Sequence, residues 1–246
     1  MRIRQRLVLV AVVVGLVTGV SQATIVYKGK LASDYASGNS TGADGLLLGD
    51  GVWVTDPGKA GWVPAQIEWE VSQAGLNSPW VYYYKVTVYK GALSHLIVEV
   101  SESFTDVYPV LYDVGSTPSF SSRSVNTYYE GGSGEPGMPD DVYGIKFDSF
   151  SDPSGDEDVK VAEVWFSSER GPVWGDFYAK DGAHGTAWNA GFVVDDPLSA
   201  AANGSVLNHL LVPDTFTTHQ IPEPTTMTFV GLCAAGLLMK LRRKHS

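Results

Sequence analysis

The chain has 246 residues, of which 44% are hydrophobic, 11% aromatic and 18% charged, and its formal net charge is -10. This length and apolar content suffice for one or two domains with a buried core, so a chain that is disordered throughout is excluded. Both ends are basic and the acidic residues lie between them, which argues against a nucleic-acid-binding surface.

The N-terminal segment has the parts of an export signal in the usual order. Three arginines among the first six residues precede an apolar run, and residues 21–23 supply Ser-Gln-Ala, which suits an export peptidase. We therefore predict a signal peptide over residues 1–23, with cleavage between Ala23 and Thr24. The alternative is a membrane helix that stays attached, but the apolar run is shorter than the ~20 residues that span a bilayer.

Residues 24–220, which we call the body, have the patterns of β-strands. Ile67, Trp69 and Val71 alternate with polar residues, as expected of a half-buried strand. We predict a hairpin in which residues 81–90 pair with residues 93–101 through a turn at Gly91. Further strands are predicted at residues 46–54, 107–114, 142–147, 159–166, 174–179 and 206–212.

The number and spacing of these strands predict the fold class. Eight or more short strands separated by Gly, Pro, Asp and Ser clusters favour a single all-β, antiparallel β-sandwich, with a jelly roll or barrel as the variant. No segment has a sustained helical stripe, although Asp196-Pro197 could begin a helical turn or two that ends at Asn203-Gly204. The one cysteine, Cys233, lies outside the body, so the body must be stabilised by its aromatic-rich core without a disulfide.

Catalytic patterns in the body lack the context that they need. Residues 38–42 match the nucleophile-elbow pattern around Ser40, but no buried strand precedes it, which favours a polar loop. Glu68 and Glu70 are ~6.6 Å apart along a strand, as in a glycosidase pair, yet they lie on the polar face. Glu163 is either a paired buried carboxylate or a strand-edge residue, and alone it identifies no reaction. We therefore predict no catalytic residue and no enzymatic activity.

The sequence also lacks a recognisable metal or cofactor motif. No spacing places two histidines on one face of a strand or helix, so no zinc site is predicted, although distant ligands can converge in a folded sheet. The histidines are His95, His184, His209, His219 and His245. Asp152, Asp156 and Asp158, with Glu157, are weak candidates for a Ca²⁺ loop, and the alternative is a solvated acidic loop.

Two tyrosines are candidates for contact with a glycan. Tyr83 and Tyr89 lie on the less apolar face of the strand predicted at residues 81–90. Their flat rings could stack on sugars while the hydroxyl groups stay in water. The competing interpretation is that both faces of this strand are buried.

The C-terminal segment, residues 221–246, combines three features. Pro222 and Pro224 exclude helix and hold Glu223 on an extended segment. The apolar span at residues 225–241 would rise only ~25 Å as a helix, less than the ~30 Å hydrocarbon core. A basic end follows and would stay in the cytoplasm by the positive-inside rule; it comprises Lys240, Arg242, Arg243 and Lys244.

This order of Pro-Glu-Pro, short apolar transmembrane helix and basic end resembles the PEP-CTERM sorting signal of Gram-negative bacteria. The resemblance implies processing by a membrane-embedded exosortase in organisms that export polysaccharide. A plain tail anchor is the alternative. Residues 91–101, 173–182 and 188–192 also resemble segments of PEP-CTERM proteins, without implying a mechanism.

Together these patterns predict an exported envelope or extracellular-matrix protein of the biofilm. It would be anchored in the membrane before processing, then be at the cell surface or extracellular, and could contact exopolysaccharide. We expect no cofactor and no nucleic-acid partner. The alternatives are a secreted carbohydrate-active enzyme or glycan-binding module on a jelly roll, and a membrane-anchored adhesion domain.

Overall fold

The computed structural model describes residues 24–34, 42–54, 64–75, 77–151, 159–182 and 185–213. These residues form strands and no helix, which confirms the all-β prediction, and they contain no helix long and apolar enough to cross a membrane. The predicted signal peptide, Ser40, the acidic loop and the sorting tail lie outside them. The strands are β1 (Ile25–Ala32), β2 (Gly45–Gly51), β3 (Gln66–Gln73), β4 (Trp80–Thr87), β5 (Leu93–Glu99), β6 (Tyr112–Thr117), β7 (Ser119–Tyr128), β8 (Val142–Ser151), β9 (Val161–Ser168), β10 (Pro172–Gly175), β11 (Phe177–Asp181), β12 (Gly185–Asn189) and β13 (Leu210–Pro213).

Eleven strands form one sheet in the order β6-β9-β4-β3-β1-β2-β12-β11-β5-β8-β7, and β10 pairs with β13 separately. We call the strands from β6 to β2 the first half and those from β12 to β7 the second half. The predicted sandwich of two separate sheets is not confirmed, because hydrogen bonding continues from one half to the other through β2 and β12. All named pairs are antiparallel except β1 with β2.

The sheet curls so that its two halves face each other. Phe147 on β8 stacks on Phe166 on β9 with 6.1 Å between ring centroids. The strands at the two ends of the order, β6 and β7, are separated in sequence only by Pro118 and lie against each other. The result is nearly a closed barrel.

Alternating side chains build the core of this curl. Ile67, Trp69 and Val71 on β3 are buried, as the period-two pattern predicts, and equivalent alternation occurs on β4 and β9. The ribbon of β10 and β13 packs within the curl, where the Tyr84 hydroxyl donates a hydrogen bond of 2.8 Å to the Leu211 carbonyl. Truncating one of these large buried side chains typically costs about 3–5 kcal/mol.

The predicted hairpin of residues 81–90 with residues 93–101 is wrong. β4 pairs with β3 and β9, whereas β5 pairs with β8 and β11. The cause is visible in the backbone, since Val88 N–H donates to Lys160 O and Leu93 N–H donates to Val159 O. Residues 159–160 therefore separate the two strands, and the turn at Gly91 carries the chain from the first half to the second.

Two further sequence predictions need correction. Residues 107–111 form turns, and the strand predicted at residues 107–114 begins only at Tyr112. Residues 196–204 contain no helical turn. They run alongside β1, where the Asn203 side chain accepts a hydrogen bond from Lys28 N–H and Gly204 N–H donates to Lys28 O. These contacts satisfy backbone groups of β1, which a helical turn could not reach.

Candidate functional site

The outward side chains of β9, β4, β3 and β1 form a surface that we call the outer face. They point away from the core because alternate residues of β3, β4 and β9 are buried inside the curl and Ile25 and Tyr27 of β1 are partly buried against it. The strand register aligns them in rows across the sheet. One row runs through Trp165, Tyr83, Glu70 and Lys28, and the next through Glu163, Lys85, Glu68 and Lys30.

An aromatic pair lies at one side of the outer face. Trp165 and Tyr83 are direct cross-strand partners, and Trp165 is 37% exposed whereas Tyr83 is half-buried. Gly115 on β6 is the partner of Trp165 on the other side. A Cβ atom at Gly115 would lie 2.5 Å from the indole, so glycine allows the ring to lie over the β6 backbone. The outer face thus carries two neighbouring aromatic residues, of which Trp165 is the more exposed.

Charged groups surround these rings in alternation. Lys28 Nζ lies 2.7 Å from Glu70 Oε2, and Lys85 Nζ lies 3.5 Å from Glu163 Oε1. Burial raises the pKa of Tyr83 to about 12, and the charge of Glu163 adds to the rise. The phenol therefore stays neutral, and the outer face offers rings, donors and acceptors side by side.

The two predicted glycan contacts lie in different parts of the structure, whereas the predicted carboxylates lie on one surface. Tyr83 lies on the outer face, whereas Tyr89 follows β4 and is half-buried in the turn before Gly91. Glu68, Glu70 and Glu163 all lie on the outer face. Trp165 was not predicted as a contact. Its position beside Glu163 on an alternating strand was a signal, but its pairing with Tyr83 depends on register between distant segments.

A second group of polar side chains surrounds the buried imidazole of His209. Asp176 lies between β10 and β11, Asp196 lies in the connection from β12 to β13, and His209 immediately precedes β13. His209 Nε2 is 3.5 Å from Asp176 Oδ1 and 3.6 Å from Asp196 Oδ1. We call these three residues the buried cluster. Within the described ranges, it is the one group of His, Cys, Asp and Glu whose donor atoms lie within 4.8 Å of one another and could hold a metal ion.

The carboxyl groups of this region have raised pKa values. Burial raises the pKa of Glu99, beside the cluster, to about 8, and the charges of Asp196 and Asp176 add to the rise. Burial raises the pKa of Asp176 to about 6, although the hydrogen bond from Asn189 and the charge of His209 oppose it. Burial also raises the pKa of Asp196. Burial thus raises the pKa of all three carboxyl groups, although the Asp196 side chain is 44% exposed.

A polar cleft of about 470 Å³ lies near the ends of β2, β11 and β12. Its described lining includes Asp50, Lys180, Asp181 and Thr186 together with several glycines, and has no aromatic side chain. Two carboxylates line this cleft, but the aromatic surface of the outer face lies elsewhere.

Comparison with known proteins concerns the C-terminal segment. Residues 220–244 match the family model described as the PEP-CTERM protein-sorting motif. The chain carries a PEP-CTERM motif. This finding confirms the resemblance stated on the sequence and indicates an exported protein that is targeted to an exosortase. The PEP-CTERM match contains all seven residues predicted for the sorting motif and the basic end, from Pro222 to Lys244.

The PEP-CTERM motif lies entirely outside the body. No curated protein and no solved structure matches the chain. The comparisons therefore assign no chemistry to the body.

Proposed function

We propose that this exported protein is a non-catalytic component of the cell surface or extracellular matrix, and that its body binds exopolysaccharide through the outer face. The observation that carries this proposal is the cross-strand pair of Trp165 and Tyr83 on a solvent-facing part of the sheet. An exposed tryptophan beside a tyrosine is costly to leave in water and is common at binding surfaces.

The chemistry of the outer face suits a neutral or weakly charged sugar chain. Aromatic rings can pack against the apolar faces of sugar rings, while carboxylates accept hydrogen bonds from sugar hydroxyls and lysines donate to them. Glu163 and Lys85 lie one row from the aromatic pair, and Glu70 continues its row. A broad, open sheet surface of this kind accommodates a polymer that extends past the contact on both sides.

The sorting signals support delivery of the body to this polymer. A signal peptide over residues 1–23 would export the chain, and the basic end at residues 240–244 would keep the tail in the membrane until the exosortase acts. The body at residues 24–220 would then lie outside the inner membrane, where exported polysaccharide is present. Processing of the tail at residues 221–246 would release the body from the membrane or transfer the body to the cell surface.

A secreted carbohydrate-active enzyme is the second candidate function. It is favoured by the polar cleft, in which Asp50 and Asp181 approach from neighbouring parts of the sheet. Glycoside hydrolysis uses two carboxyl groups on opposite sides of the scissile bond. The aromatic pair that would hold a sugar lies on the outer face and not in this cleft.

The test uses the purified full-length protein and exopolysaccharide isolated from the same cells. We expect Trp165→Ala to weaken binding about tenfold, which corresponds to about 1.4 kcal/mol, and Tyr83→Ala to weaken it less. The matched control is Tyr129→Ala, because Tyr129 is 62% exposed and lies outside the outer face. Circular dichroism should show unchanged sheet content in all three variants.

Two results would contradict the proposal. Equal binding by Trp165→Ala, Tyr129→Ala and the wild type would exclude the outer face. Release of reducing sugar by the wild type, abolished by Asp50→Asn or Asp181→Asn, would favour the enzyme. Loss of that release in Glu68→Gln, Glu70→Gln or Glu163→Gln would place catalysis on the outer face instead.

A further inference from the structure

We infer that the buried cluster of Asp176, Asp196 and His209 binds a divalent transition-metal ion, with Zn²⁺ the ion that its ligand types fit best. The ion would join the start of β11 to the long connection between β12 and β13. This inference concerns a different part of the sheet from the outer face and does not depend on polysaccharide binding.

The hydrogen bond of the His209 ring shows which of its nitrogens carries the proton. His209 is completely buried, and its Nδ1 lies 3.3 Å from the Val206 carbonyl oxygen. A carbonyl can only accept, so Nδ1 carries the proton in this hydrogen bond. Nε2 has no hydrogen-bond partner and faces the two aspartates. A histidine that binds a metal commonly donates its other ring N–H to a backbone carbonyl in this way.

The distances from His209 Nε2 to the two aspartates suit ligands of a shared ion. Nε2 lies 3.5 Å and 3.6 Å from the nearest oxygens of Asp176 and Asp196. Two ligand atoms that are each about 2.0–2.1 Å from a tetrahedral ion are about 3.4 Å apart. The observed separations are too long for good hydrogen bonds and close to those of ligands that share an ion.

The carboxylates near His209 need a compensating positive charge. Asp176 and Asp196 each bring a carboxylate oxygen within 3.6 Å of one completely buried imidazole nitrogen, and Asp176 is itself buried. Removing charged groups from water is costly unless they are paired. A divalent cation would offset the charges of the two carboxylates.

The surrounding residues hold the ligands in place. Asn189 is buried and bridges two groups, since its Nδ2 donates to Asp176 Oδ1 at 2.5 Å and its Oδ1 accepts from Phe177 N–H at 3.0 Å. Glu99 Oε2 accepts a hydrogen bond from Asp176 N–H. A Cβ atom at Gly191 would lie 2.5 Å from His209 Cε1, so glycine is needed for the imidazole to occupy this place. Asp176 and His209 are therefore oriented before any ion binds.

Three segments singled out in the sequence meet at this site. Residues 91–101 contain Glu99, residues 173–182 contain Asp176, and residues 188–192 contain Asn189 and Gly191. They form the neighbouring strands β5, β11 and β12 with their ends. The function proposed for the outer face makes no use of these segments.

The donor set indicates the class of metal. Carboxylate oxygens alone would favour Ca²⁺ or Mg²⁺, but a buried imidazole nitrogen among the donors favours Zn²⁺ or a neighbouring transition metal. The Asp196 side chain is 44% exposed, so the ion could enter from the solvent side of the connection. Because two ligands lie on that connection and one on the sheet, the metal would fasten the connection to the sheet.

The test measures Zn²⁺ binding to the full-length protein. The protein is treated with a chelator, dialysed and equilibrated with Zn²⁺, and bound metal is counted by elemental analysis. We expect about one Zn²⁺ per chain that is lost in His209→Gln and bound at least tenfold more weakly in Asp196→Asn. Asp196→Asn changes a partly exposed side chain, so it tests the site even if His209→Gln does not fold.

The matched control is His95→Gln, which removes another buried histidine outside the cluster. It should bind Zn²⁺ as the wild type does. Zn²⁺ should also slow hydrogen exchange of residues 195–209 in the wild type but not in Asp196→Asn. Failure of the wild type to bind Zn²⁺ would show that the cluster is an ion pair and overturn the inference. Equal binding by the wild type, His209→Gln and Asp196→Asn would place the metal elsewhere in the chain and overturn it too.

Discussion

On the outer face each paired carboxylate lies beside a cation, whereas around His209 three acidic groups lie together. Glu70 pairs with Lys28 and Glu163 with Lys85, all within reach of water. Asp176 and Asp196 face one buried imidazole, Glu99 accepts a hydrogen bond from Asp176 N–H, and the pKa values of these three carboxyl groups are raised. The same residue type therefore solvates the sheet in one region and forms a constrained site in the other. Burial and the neighbouring charges make this difference.

Alanine at three glycines should separate the two regions by the rigidity of their surroundings. Gly191→Ala should cost roughly 3 kcal/mol, because the new Cβ would meet both His209 and the immobile Leu207 carbonyl at 2.5 Å. Gly115→Ala should cost about 1 kcal/mol, since the partly exposed Trp165 indole can move aside. Urea unfolding of the purified variants measures both values.

Gly171→Ala is the control for these glycines. Its Cβ would lie 3.6 Å from the nearest neighbouring atom, Trp80 Nε1, which is an ordinary contact. Its effect should stay within about 0.5 kcal/mol. A larger loss for Gly115→Ala than for Gly191→Ala would contradict the expectation that the Trp165 indole moves aside more easily than His209 and the Leu207 carbonyl.

A buried histidine outside the cluster should make stability depend on pH. Burial, followed by the charges of Lys146 and Lys180 and opposed by Asp148, lowers the pKa of His95 from 6.5 to about 3. Between these values the unfolded chain binds the extra proton, so stability falls as pH drops from 6.5 towards 3. The slope contributed by His95 is up to about 1.4 kcal/mol per pH unit.

The corresponding measurement compares the wild type with His95→Gln across this pH range. The variant lacks the titrating group, so its stability relative to the wild type should improve steadily on acidification. The contributions of the other acidic groups cancel in the difference. A difference that does not change between pH 6.5 and pH 4 would refute the shift assigned to His95.

The smallest effect is expected for an ion pair on the outer face. Lys28 and Glu70 are in contact at 2.7 Å, but their side chains are 65% and 42% exposed. A double-mutant cycle with Lys28→Met and Glu70→Gln should give a coupling energy below about 1 kcal/mol, which falls further in high salt. A coupling of several kcal/mol, unaffected by salt, would mean that the outer face is covered by something else in solution.

Local patterns predicted local structure well. The alternation at Ile67, Trp69 and Val71 predicted β3 and its buried face, and the same reasoning placed Glu70 outside, whereas it left open whether Tyr83 is exposed. β7 was missed because it is an edge strand with a polar sequence, which has little apolar alternation to detect.

Pairing between distant segments could not be predicted in the same way. Gly91 correctly marked a turn, but residues 159–160 lie between the strands that the turn connects. The alignment of Trp165 beside Tyr83 and the approach of His209 to Asp176 depend on how strands far apart in sequence pair. Histidine spacing along the chain therefore gave no indication of the buried cluster.

Export and sorting of the chain are tested most directly by the intact mass of the mature protein. The protein would be isolated from the envelope and medium of cells with and without a working exosortase. In the presence of exosortase, the mass should correspond to a chain that begins at Thr24 and lacks residues 240–246. In its absence, the C-terminal residues should remain. A mature protein that begins at Met1, or that keeps residues 240–246 in cells with active exosortase, would contradict this account.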